Sequence, residues 1–210
     1  MKISDIFKIF LTIEKLGYAG GGDEFEEAVK NILLKFGLIE LFPITKDSSG
    51  RTEKVKKFLS SYKGDLNMCF ISQPKGTHGC PDYWIYIGGR KIKLECKSSK
   101  NESIRWNSGR PRNNIIFAYN CDKTNKTYLF MGQDHIGDMT DFEEFVIPKL
   151  NEIKQQQKEV NDLIKNLGYG EDFYQNFRTD WLDKTKIPNS YTKQKKLNVY
   201  KFIKKEAICF

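Results

Sequence analysis

The sequence predicts a protein of the α/β (α+β) class, with strands in the middle of the chain and helices towards both ends. Apolar residues recur with the period of an amphipathic helix near the N-terminus and again after residue 140. Between residues 68 and 131 they instead alternate or form short runs bounded by turn residues. At 210 residues the chain fits one ordinary domain with room for a small appended subdomain.

Two helices are predicted at the N-terminus, separated by a glycine-rich joint. Ser4 is a candidate N-cap for the first helix. The segment 17–22 contains four glycines and is predicted to be a flexible joint. Asp23 should cap the second helix, which runs to about Phe36 and has Gly37 as its C′ residue.

The middle of the chain is predicted to contain a basic helix over 53–62 and then strands. The strands are short apolar or alternating runs, at 68–72, 83–87, 91–97, 115–119 and 127–131. The segment 73–81 contains glycine and proline and must be a loop. The turn Gly88-Gly89-Arg90 joins the second and third strands into a hairpin, the clearest local structure in the chain.

The C-terminal third is predicted to be helical and then basic. A capping box over 140–143 should open a helix, which Pro148 should interrupt before it resumes to Leu167. The chain is accordingly divided into an N-terminal helix with its joint (1–22), a core (23–135) and a helical and basic region (136–210), within one compact domain. Lysines alternate with aromatic residues near the C-terminus, at Lys193, Lys195, Lys196, Lys201, Lys204 and Lys205 and at Tyr191, Tyr200 and Phe202.

The charge of the chain favours a polyanionic partner. Lys and Arg number 35 against 27 Asp and Glu, a formal net charge of +8, although a need for solubility explains the same excess equally well. The five cysteines form neither a C-x-x-C pair nor a cluster with histidine, which fits a reducing compartment, so the cytoplasm is the expected location. No stretch approaches the ~18 apolar residues of a membrane span, and we expect no membrane association.

The predicted strand 91–97 carries a row of charged residues on one face. Strict alternation places Lys91, Lys93, Glu95 and Lys97 together. Glu95 and Lys97 therefore point the same way, about 7 Å apart along the strand. Asp82 begins the partner strand, and the fixed φ of Pro81 directs the chain towards that point. A second Glu-x-Lys match at 152–154 lies in helical sequence, where residues two apart point in different directions.

Two carboxylates and an ammonium group at one edge of a sheet suit the hydrolysis of a phosphodiester. The reaction needs its attacking water activated and its leaving oxygen neutralised, and Mg²⁺ held by oxygen ligands does both. Asp82 and Glu95 are the candidate ligands. Lys97 could orient or deprotonate the water, or offset charge on the transition state, and these roles stay open.

Pro81-Asp82 followed by Glu95-Cys96-Lys97 at the end of a hairpin resembles the PD-(D/E)xK nuclease superfamily, which includes many type II restriction endonucleases, junction resolvases and repair nucleases. The resemblance covers residues 23–131. It implies a restriction-endonuclease-like core with a central mixed sheet flanked by helices. It also implies hydrolysis that leaves a 5′-phosphate, with Mg²⁺ as cofactor and Mn²⁺ as a substitute, bound by Asp82, Glu95 and the backbone carbonyl of Cys96.

Members of this superfamily often add a further acid from the helix before the hairpin. Glu26 is the candidate here, because it borders the apolar stripe of the predicted second helix. Glu24 and Glu27 lie further from that stripe and suit the dipole of the helix N-terminus, an explanation that applies equally to Glu26.

The segment 99–114 follows the candidate catalytic strand and is rich in groups that contact DNA. Arg can read guanine and Asn adenine through paired hydrogen bonds, and Trp can pack on a sugar or a base. A loop that grips phosphates or is merely solvated explains the same composition. The candidate DNA contacts are Lys100, Arg105, Trp106, Asn107, Arg110, Arg112 and Asn113, with His78 from the loop before Pro81.

The favoured hypothesis is a sequence-specific type II restriction endonuclease that cuts double-stranded DNA. It would act as a homodimer, so that two active sites address the two strands of a palindrome, and would be paired with a protective DNA methyltransferase. The basis is a compact catalytic core with much additional sequence, as expected when recognition elements are added to a common fold. The alternatives are a DNA repair or Holliday-junction-resolving nuclease and a non-catalytic DNA-binding protein.

Overall fold

A computed structural model describes residues 3–43, 50–76, 79–106, 111–136, 142–169, 181–182 and 186–205. The strands in these ranges are β1 (Ile39–Glu40), β2 (Cys69–Ser72), β3 (Tyr83–Ile87), β4 (Arg90–Ser99), β5 (Arg105–Trp106), β6 (Ile116–Cys121), β7 (Lys126–Met131) and β8 (Trp181–Leu182). Six of them form one sheet in the order β1-β2-β3-β4-β6-β7, and β5 pairs with β8 in a second, two-stranded sheet. The β1–β2 and β4–β6 pairs are parallel and the other pairs antiparallel, so the main sheet is mixed.

Helices pack on this sheet, which confirms the predicted fold class. They are α1 (Ile3–Glu14), α2 (Gly22–Lys35), α3 (Arg51–Ser61), α4 (Gly132–Ile136), α5 (Ile147–Asn166), α6 (Ile187–Ser190) and α7 (Lys193–Lys205), with a π-helical turn at Phe142–Val146 before α5. The main apolar core unites α1, α2 and α7 with one face of the sheet, through residues such as Phe10, Phe25, Leu94 and Val199. None of the described helices is long and apolar enough to cross a membrane.

The predicted hairpin of β3 and β4 is present and sets the register of the site, although Arg90, predicted in the turn, begins β4. Gly88 and Gly89 form its two-residue turn with φ of 59° and 75°, the left-handed conformation that favours glycine. Tyr83 pairs with Leu94, so Asp82 lies one step further along, beside Glu95. At the level of Glu95 and Lys97, β4 has passed the end of β3, so it pairs with β6 on one side and has Asp82 beside it on the other.

The face of the sheet opposite the main core carries a row of four charged side chains on β4. One apolar cluster on this face is built around Trp84 and Val55, and another around Trp106 and Phe117. Strand β4 lies between the strands that carry these two clusters. We call the row Lys91, Lys93, Glu95 and Lys97 the charged row.

The glycine-rich segment before α2 is hydrogen-bonded to the sheet. The Asn120 side chain accepts a hydrogen bond from the Ala19 backbone N–H at 2.9 Å and donates one to the Gly17 carbonyl at 2.8 Å. The Ser98 hydroxyl donates to the Gly20 carbonyl at 2.8 Å. These bonds fix the start of α2 on the sheet, where the composition had suggested a flexible joint.

Helix boundaries differ from the predictions at several points. The N-cap of α2 is Gly21, with Asp23 inside the first turn, whereas Gly37 has the expected positive φ of 82°. Helix α1 begins at Ile3, before the predicted cap at Ser4. Pro148 lies in the first turn of α5, a position that tolerates proline, and α5 follows the π-helical turn directly. The predicted cap residues Thr140 and Asp141 lie outside the described residues.

Helices α5 and α7 of the C-terminal third differ in burial. None of the α5 residues is buried, and its side chains Ile153, Val160 and Leu163 are exposed, as is Leu167 at its C-terminal cap. Helix α7, by contrast, buries Val199 and Ile203 in the main core. The basic C-terminal sequence is therefore a structural element of the central unit.

Candidate active site

Asp82 is fixed at the end of the hairpin by hydrogen bonds to its neighbours. Its Oδ2 accepts a hydrogen bond from the Cys96 backbone N–H at 2.7 Å, which attaches it to β4. Its carbonyl accepts one from the Gln73 N–H, at the end of β2. The Asp82 side chain is only 8% exposed, so a carboxylate is held almost entirely out of water beside β4.

Glu95 and Lys97 form an ion pair on the same face of β4, as the alternation predicts. The Lys97 Nζ lies 2.7 Å from the Glu95 Oε1. Glu95 is 2% exposed, and its second oxygen, Oε2, is buried without a hydrogen-bond partner. An unpartnered carboxylate oxygen in the protein interior is costly, and a bound cation would satisfy it.

Glu26 reaches the same region from α2. Its Oε2 accepts a hydrogen bond from the Gln73 side-chain amide at 3.0 Å, and its backbone carbonyl accepts one from the Tyr83 hydroxyl at 2.8 Å. Glu26 is half-buried, whereas Glu24 and Glu27 are exposed, as the helical wheel predicts. The structure therefore brings Glu26, Asp82, Glu95 and Lys97 together from α2, the end of the loop before β3, and β4.

Two carboxyl groups of this cluster, those of Asp82 and Glu26, are held in an environment that disfavours their charge. Burial raises the pKa of Asp82 well above its ordinary value, and the negative charges of Glu95 and Glu26 raise it further. Burial likewise raises the pKa of Glu26, assisted by nearby Asp23 and Glu95. Asp82, Glu26 and Glu95 thus act on one another through their negative charges, and a divalent cation would relieve this repulsion.

Lys97 is affected in the opposite direction. Burial disfavours its ammonium form, but the attraction and hydrogen bond of Glu95, with the charge of Asp82, outweigh that effect and leave the pKa of Lys97 raised. Lys97 is therefore a cation at neutral pH in this environment. A protonated lysine can donate a hydrogen bond and offset negative charge, whereas it cannot accept a proton.

The donor set fits Mg²⁺ or Mn²⁺, which prefer oxygen ligands. Asp82 and Glu95 supply carboxylates, Glu95 Oε2 lacks a partner, and the Cys96 carbonyl lies in β4 between Glu95 and Lys97. Among the described residues, no three His, Cys, Asp or Glu side chains gather as a complete metal-binding group. A metal here would therefore be held by two carboxylates with backbone or solvent oxygens, as Mg²⁺ commonly is.

Trp106, one of the candidate DNA contacts, is buried in the structure. It is 3% exposed, and its ring packs edge-on against Phe117 at a centroid distance of 5.3 Å. The segment 99–114, which its composition suggested was a loop, contains β5. Ile104 and Trp106 therefore point into the apolar cluster around Phe117, while Arg105 faces outward. The Trp106 ring is thus part of the core and is not placed to stack on a base.

The remaining candidate DNA contacts divide into two groups. The side chains exposed to solvent are Lys100, Arg105, Arg112 and Asn113. The candidates Asn107, Arg110 and His78 lie outside the described residues. Arg112 is also close enough to the site that its charge acts on the Cys80 thiol, two residues before Asp82.

The C-terminal lysines lie away from the charged row. Helix α7 packs on the face of the sheet that carries the main core, opposite the charged row. Within it, Lys196 pairs with Glu14 at 2.7 Å, and the Tyr200 hydroxyl donates to the same carboxylate at 3.3 Å. Tyr200, one of the aromatic residues in this basic run, thus connects α7 to α1 and does not lie beside Asp82 and Glu95.

The structure places near the site residues that the sequence does not single out as DNA contacts. Lys75, Lys91 and Lys93 line a cleft together with Arg112, already a candidate DNA contact, and with Pro81, which immediately precedes Asp82. The sequence held a signal for two of them, because the alternation that pairs Glu95 with Lys97 places Lys91 and Lys93 on the same face. Lys75 comes from the loop after β2, and nothing in the local sequence predicts its position.

No protein-family model, curated protein or solved structure matches this chain.

Proposed function

We propose that this protein is a metal-dependent endonuclease that hydrolyses phosphodiester bonds of double-stranded DNA, in the manner of a type II restriction endonuclease. The observation that carries the proposal is the pairing of Glu95 with Lys97 beside the buried Asp82, with one oxygen of Glu95 left unpartnered. Acids and a lysine in this arrangement suit phosphodiester chemistry better than they suit stability, since buried like charges destabilise a fold.

Each side chain has a distinct role in this proposal. Asp82 and Glu95 hold the divalent cation, which when bound supplies an activated water and neutralises the leaving oxygen. Glu26 adds negative charge at the border of the site, and Gln73 orients it. Lys97, whose pKa is raised by Glu95 in the metal-free protein, offsets charge on the phosphorus-centred transition state.

The same proposal includes the substrate and the assembly. The protein would act on duplex DNA as a homodimer whose two sites cut both strands, and a partner DNA methyltransferase would protect the host sequence. The excess of 35 basic over 27 acidic residues supports a polyanionic substrate.

Digestion of supercoiled plasmid by the purified protein tests the proposal. We expect discrete linear fragments with Mg²⁺ or Mn²⁺ and no cleavage with EDTA. Asp82→Asn, Glu95→Gln and Lys97→Met should each reduce the rate by at least about 10²-fold, the range found when a group acting in the transition state is removed.

The chain offers an internal control for these variants. Glu152 and Lys154 match the same Glu-x-Lys pattern but lie on α5, where both are exposed and Glu152 pairs with Lys149. Glu152→Gln and Lys154→Met should therefore cut as the wild type does. Equal loss of activity in the helix variants and the strand variants would remove the assignment of Glu95 and Lys97.

The products separate the competing functions. Nicked circles alone, or a smear without preferred ends, would favour a repair or junction-resolving nuclease. Binding of duplex DNA without cleavage in either metal would favour a non-catalytic DNA-binding protein. Sequencing the fragment ends gives the recognition site and the position of the cut.

A further inference from the structure

A basic cleft adjoins the candidate active site on the same face of the sheet. Its volume is about 310 Å³, and the charged and polar residues that line it are Lys75, Trp84, Lys91, Lys93, Arg112 and Asn113. Four of these residues are cationic, and no acidic residue lines the cleft among the residues that the structure describes. An anion is therefore the chemical class of ligand that this cleft suits.

The hydrogen-bonding groups of the cleft also suit an anion. Lysine and arginine donate and cannot accept, and the indole N–H of Trp84 is a donor only. Trp84 is 8% exposed, and its buried Nε1 has no hydrogen-bond partner. A buried donor of this kind is costly unless a ligand accepts its hydrogen bond.

Lys91 is held in the cleft at an electrostatic cost. Its Nζ sits 3.1 Å from the centre of the Trp84 ring, a cation–π contact that fixes its position. Burial and the positive charges of Lys93 and Lys75 lower the pKa of Lys91 to about 8. A ligand with negative charge would remove this repulsion.

The cleft is built into the same elements that carry the acids. Lys91 and Lys93 share the charged row with Glu95, and Lys93 is about 7 Å from Glu95 along the strand. Glycine permits the close approach of the other two cations. A Cβ at Gly79 would collide with the backbone of Lys75, and a Cβ at Gly132 would collide with the backbone carbonyl of Arg112.

We propose that this cleft binds a phosphate group of the nucleic-acid strand whose neighbouring phosphodiester lies at Asp82 and Glu95. The identification of the bound strand as nucleic acid rests on the proposed function. The cleft binds the backbone of that strand and places it, and it does not read base sequence, because lysine ammonium groups contact phosphates without regard to base.

Binding of a fluorescently labelled duplex, measured by anisotropy without a catalytic metal, tests this assignment. A double variant, Lys91→Gln with Lys93→Gln, is compared with Lys154→Gln with Lys158→Gln on exposed α5, which changes the net charge equally. Arg112→Gln is a single-site variant, and far-UV circular dichroism checks that each variant is folded. Binding is measured across a range of salt concentrations.

We expect the cleft variants to lose affinity and to reduce the salt dependence of binding. Each lost phosphate contact lowers the slope of log K against log[salt] by about 0.9, which corresponds to a roughly tenfold loss of affinity near 50 mM salt. The α5 variant should retain the wild-type slope. Equal losses in the cleft and α5 variants would show that only net charge matters and would overturn the assignment.

Inorganic phosphate is the second probe, because a free anion and a DNA strand share the same chemistry. The assignment predicts that phosphate competes weakly, and tighter binding of phosphate than of duplex would overturn it. The outcome is separable from the nuclease proposal. If the protein binds DNA through the cleft but never cuts it, the cleft assignment stands and the nuclease proposal fails. If it cuts DNA and the cleft variants bind as the wild type does, only the cleft assignment fails.

Discussion

At the scale of single residues, the candidate site concentrates charge where the surroundings disfavour it. Asp82 and Glu95 are both buried, and Glu26 lies close enough to raise the pKa of Asp82. Proteins keep such arrangements when a function requires them, and the fold loses stability as a result. The buried charges of the site should therefore lower the free energy of unfolding while they support activity, and unfolding experiments can measure this.

Asp82→Asn should raise the stability of the metal-free protein at neutral pH while abolishing cleavage. The amide oxygen can still accept the hydrogen bond from the Cys96 N–H, and the buried charge is gone. We expect a gain on the order of 1 kcal/mol, or about 2–4 °C in Tm for a chain of this size. The measurement is thermal unfolding in EDTA, with Asp162→Asn on exposed α5 as the control. A loss of stability in Asp82→Asn, with the control unchanged, would contradict the prediction.

The same residues make stability depend on pH in a definite direction. The folded protein holds protons on Asp82 and Glu26 more tightly than the unfolded chain does, because both pKa values are raised on folding. The unfolded state therefore binds fewer protons at a pH above the ordinary carboxyl pKa, and stability falls as pH rises through that range. Urea unfolding of the metal-free protein should show this decrease, and Asp82→Asn should weaken it. A wild-type stability that rises through the same range would contradict the expectation.

Metal should reverse this effect. A divalent cation that binds the folded state stabilises it by mass action and competes with protons for the same carboxylates. Added Mn²⁺ should therefore raise the Tm of the wild type, by more at higher pH, and should not raise that of Glu95→Gln. A shift in Tm that is equal in wild type and Glu95→Gln would place the metal elsewhere.

The central pair of this site was predictable from sequence, whereas its surroundings were not. Alternation along one strand is a local property, so the shared face of Glu95 and Lys97 follows from spacing alone. The burial of Trp106 depends on the pairing of β5 with β8, which is distant in the chain, and on Phe117. Composition alone favours a DNA contact for Trp106, because no local pattern shows which apolar cluster its side chain will join.

At the scale of elements, one buried arginine adds hydrogen bonds to the apolar contacts that attach helix α3 to the sheet. The Arg51 guanidinium donates hydrogen bonds to the carbonyls of Phe42 and Gln73 at 2.8 Å and of Ser72 at 2.7 Å. Arg51 is 4% exposed and lies at the start of α3. It thereby connects α3 to the end of β2, from which the chain proceeds towards Asp82.

Arg51→Lys should destabilise the protein despite keeping the charge. A lysine cannot satisfy carbonyls in three directions with a rigid planar group, so buried acceptors lose their donors. We expect a loss of about 2–4 kcal/mol, the sum of a few hydrogen bonds to a charged group. Urea denaturation measures it, and Lys57→Gln on the exposed side of α3 should change stability little. If Arg51→Lys unfolds at the same urea concentration as the wild type, these bonds contribute nothing net.

Elements with their own local signals were predicted, and elements formed by distant partners were missed. The hairpin follows from paired glycines between alternating runs, and its turn has the expected backbone. The two-residue β1 exists only because it pairs with β2, and the connection of Asn120 to the segment 17–22 joins residues about a hundred positions apart. Sequence patterns over a few residues contain no information about such partners.

At the scale of the whole molecule, the two faces of the sheet have separate tasks. One face packs against α1, α2 and α7 to form the main core, and the other carries the charged row between two smaller apolar clusters. Helices α1 and α7 meet on the core face, where the Phe7 and Tyr200 rings lie 5.7 Å apart. Stability is thus built mainly on one face and charge is presented on the other.

This arrangement predicts that the C-terminal helix is required for the fold of the entire central unit. Ile203 is fully buried in the main core, and its carbonyl accepts a hydrogen bond from the Arg90 guanidinium at the start of β4. Ile203→Ala should therefore cost about 2–5 kcal/mol, the range for deleting a buried aliphatic side chain. Leu197→Ala on the same helix, where the side chain is 41% exposed, should change stability by much less. Urea unfolding of both variants gives these values.

The shape of the transition tests the domain organisation independently of its midpoint. If residues 136–210 formed a separate subdomain, as the sequence division allows, Ile203→Ala would unfold that part first and produce a second transition. Since α7 and α1 belong to one core with the sheet, we expect a single transition shifted to lower urea, with fluorescence and circular dichroism coinciding. Below that transition, DNA cleavage by Ile203→Ala should match the wild type, because the substitution lies on the face opposite Glu95. A variant with normal stability and impaired cleavage would contradict this division between the two faces.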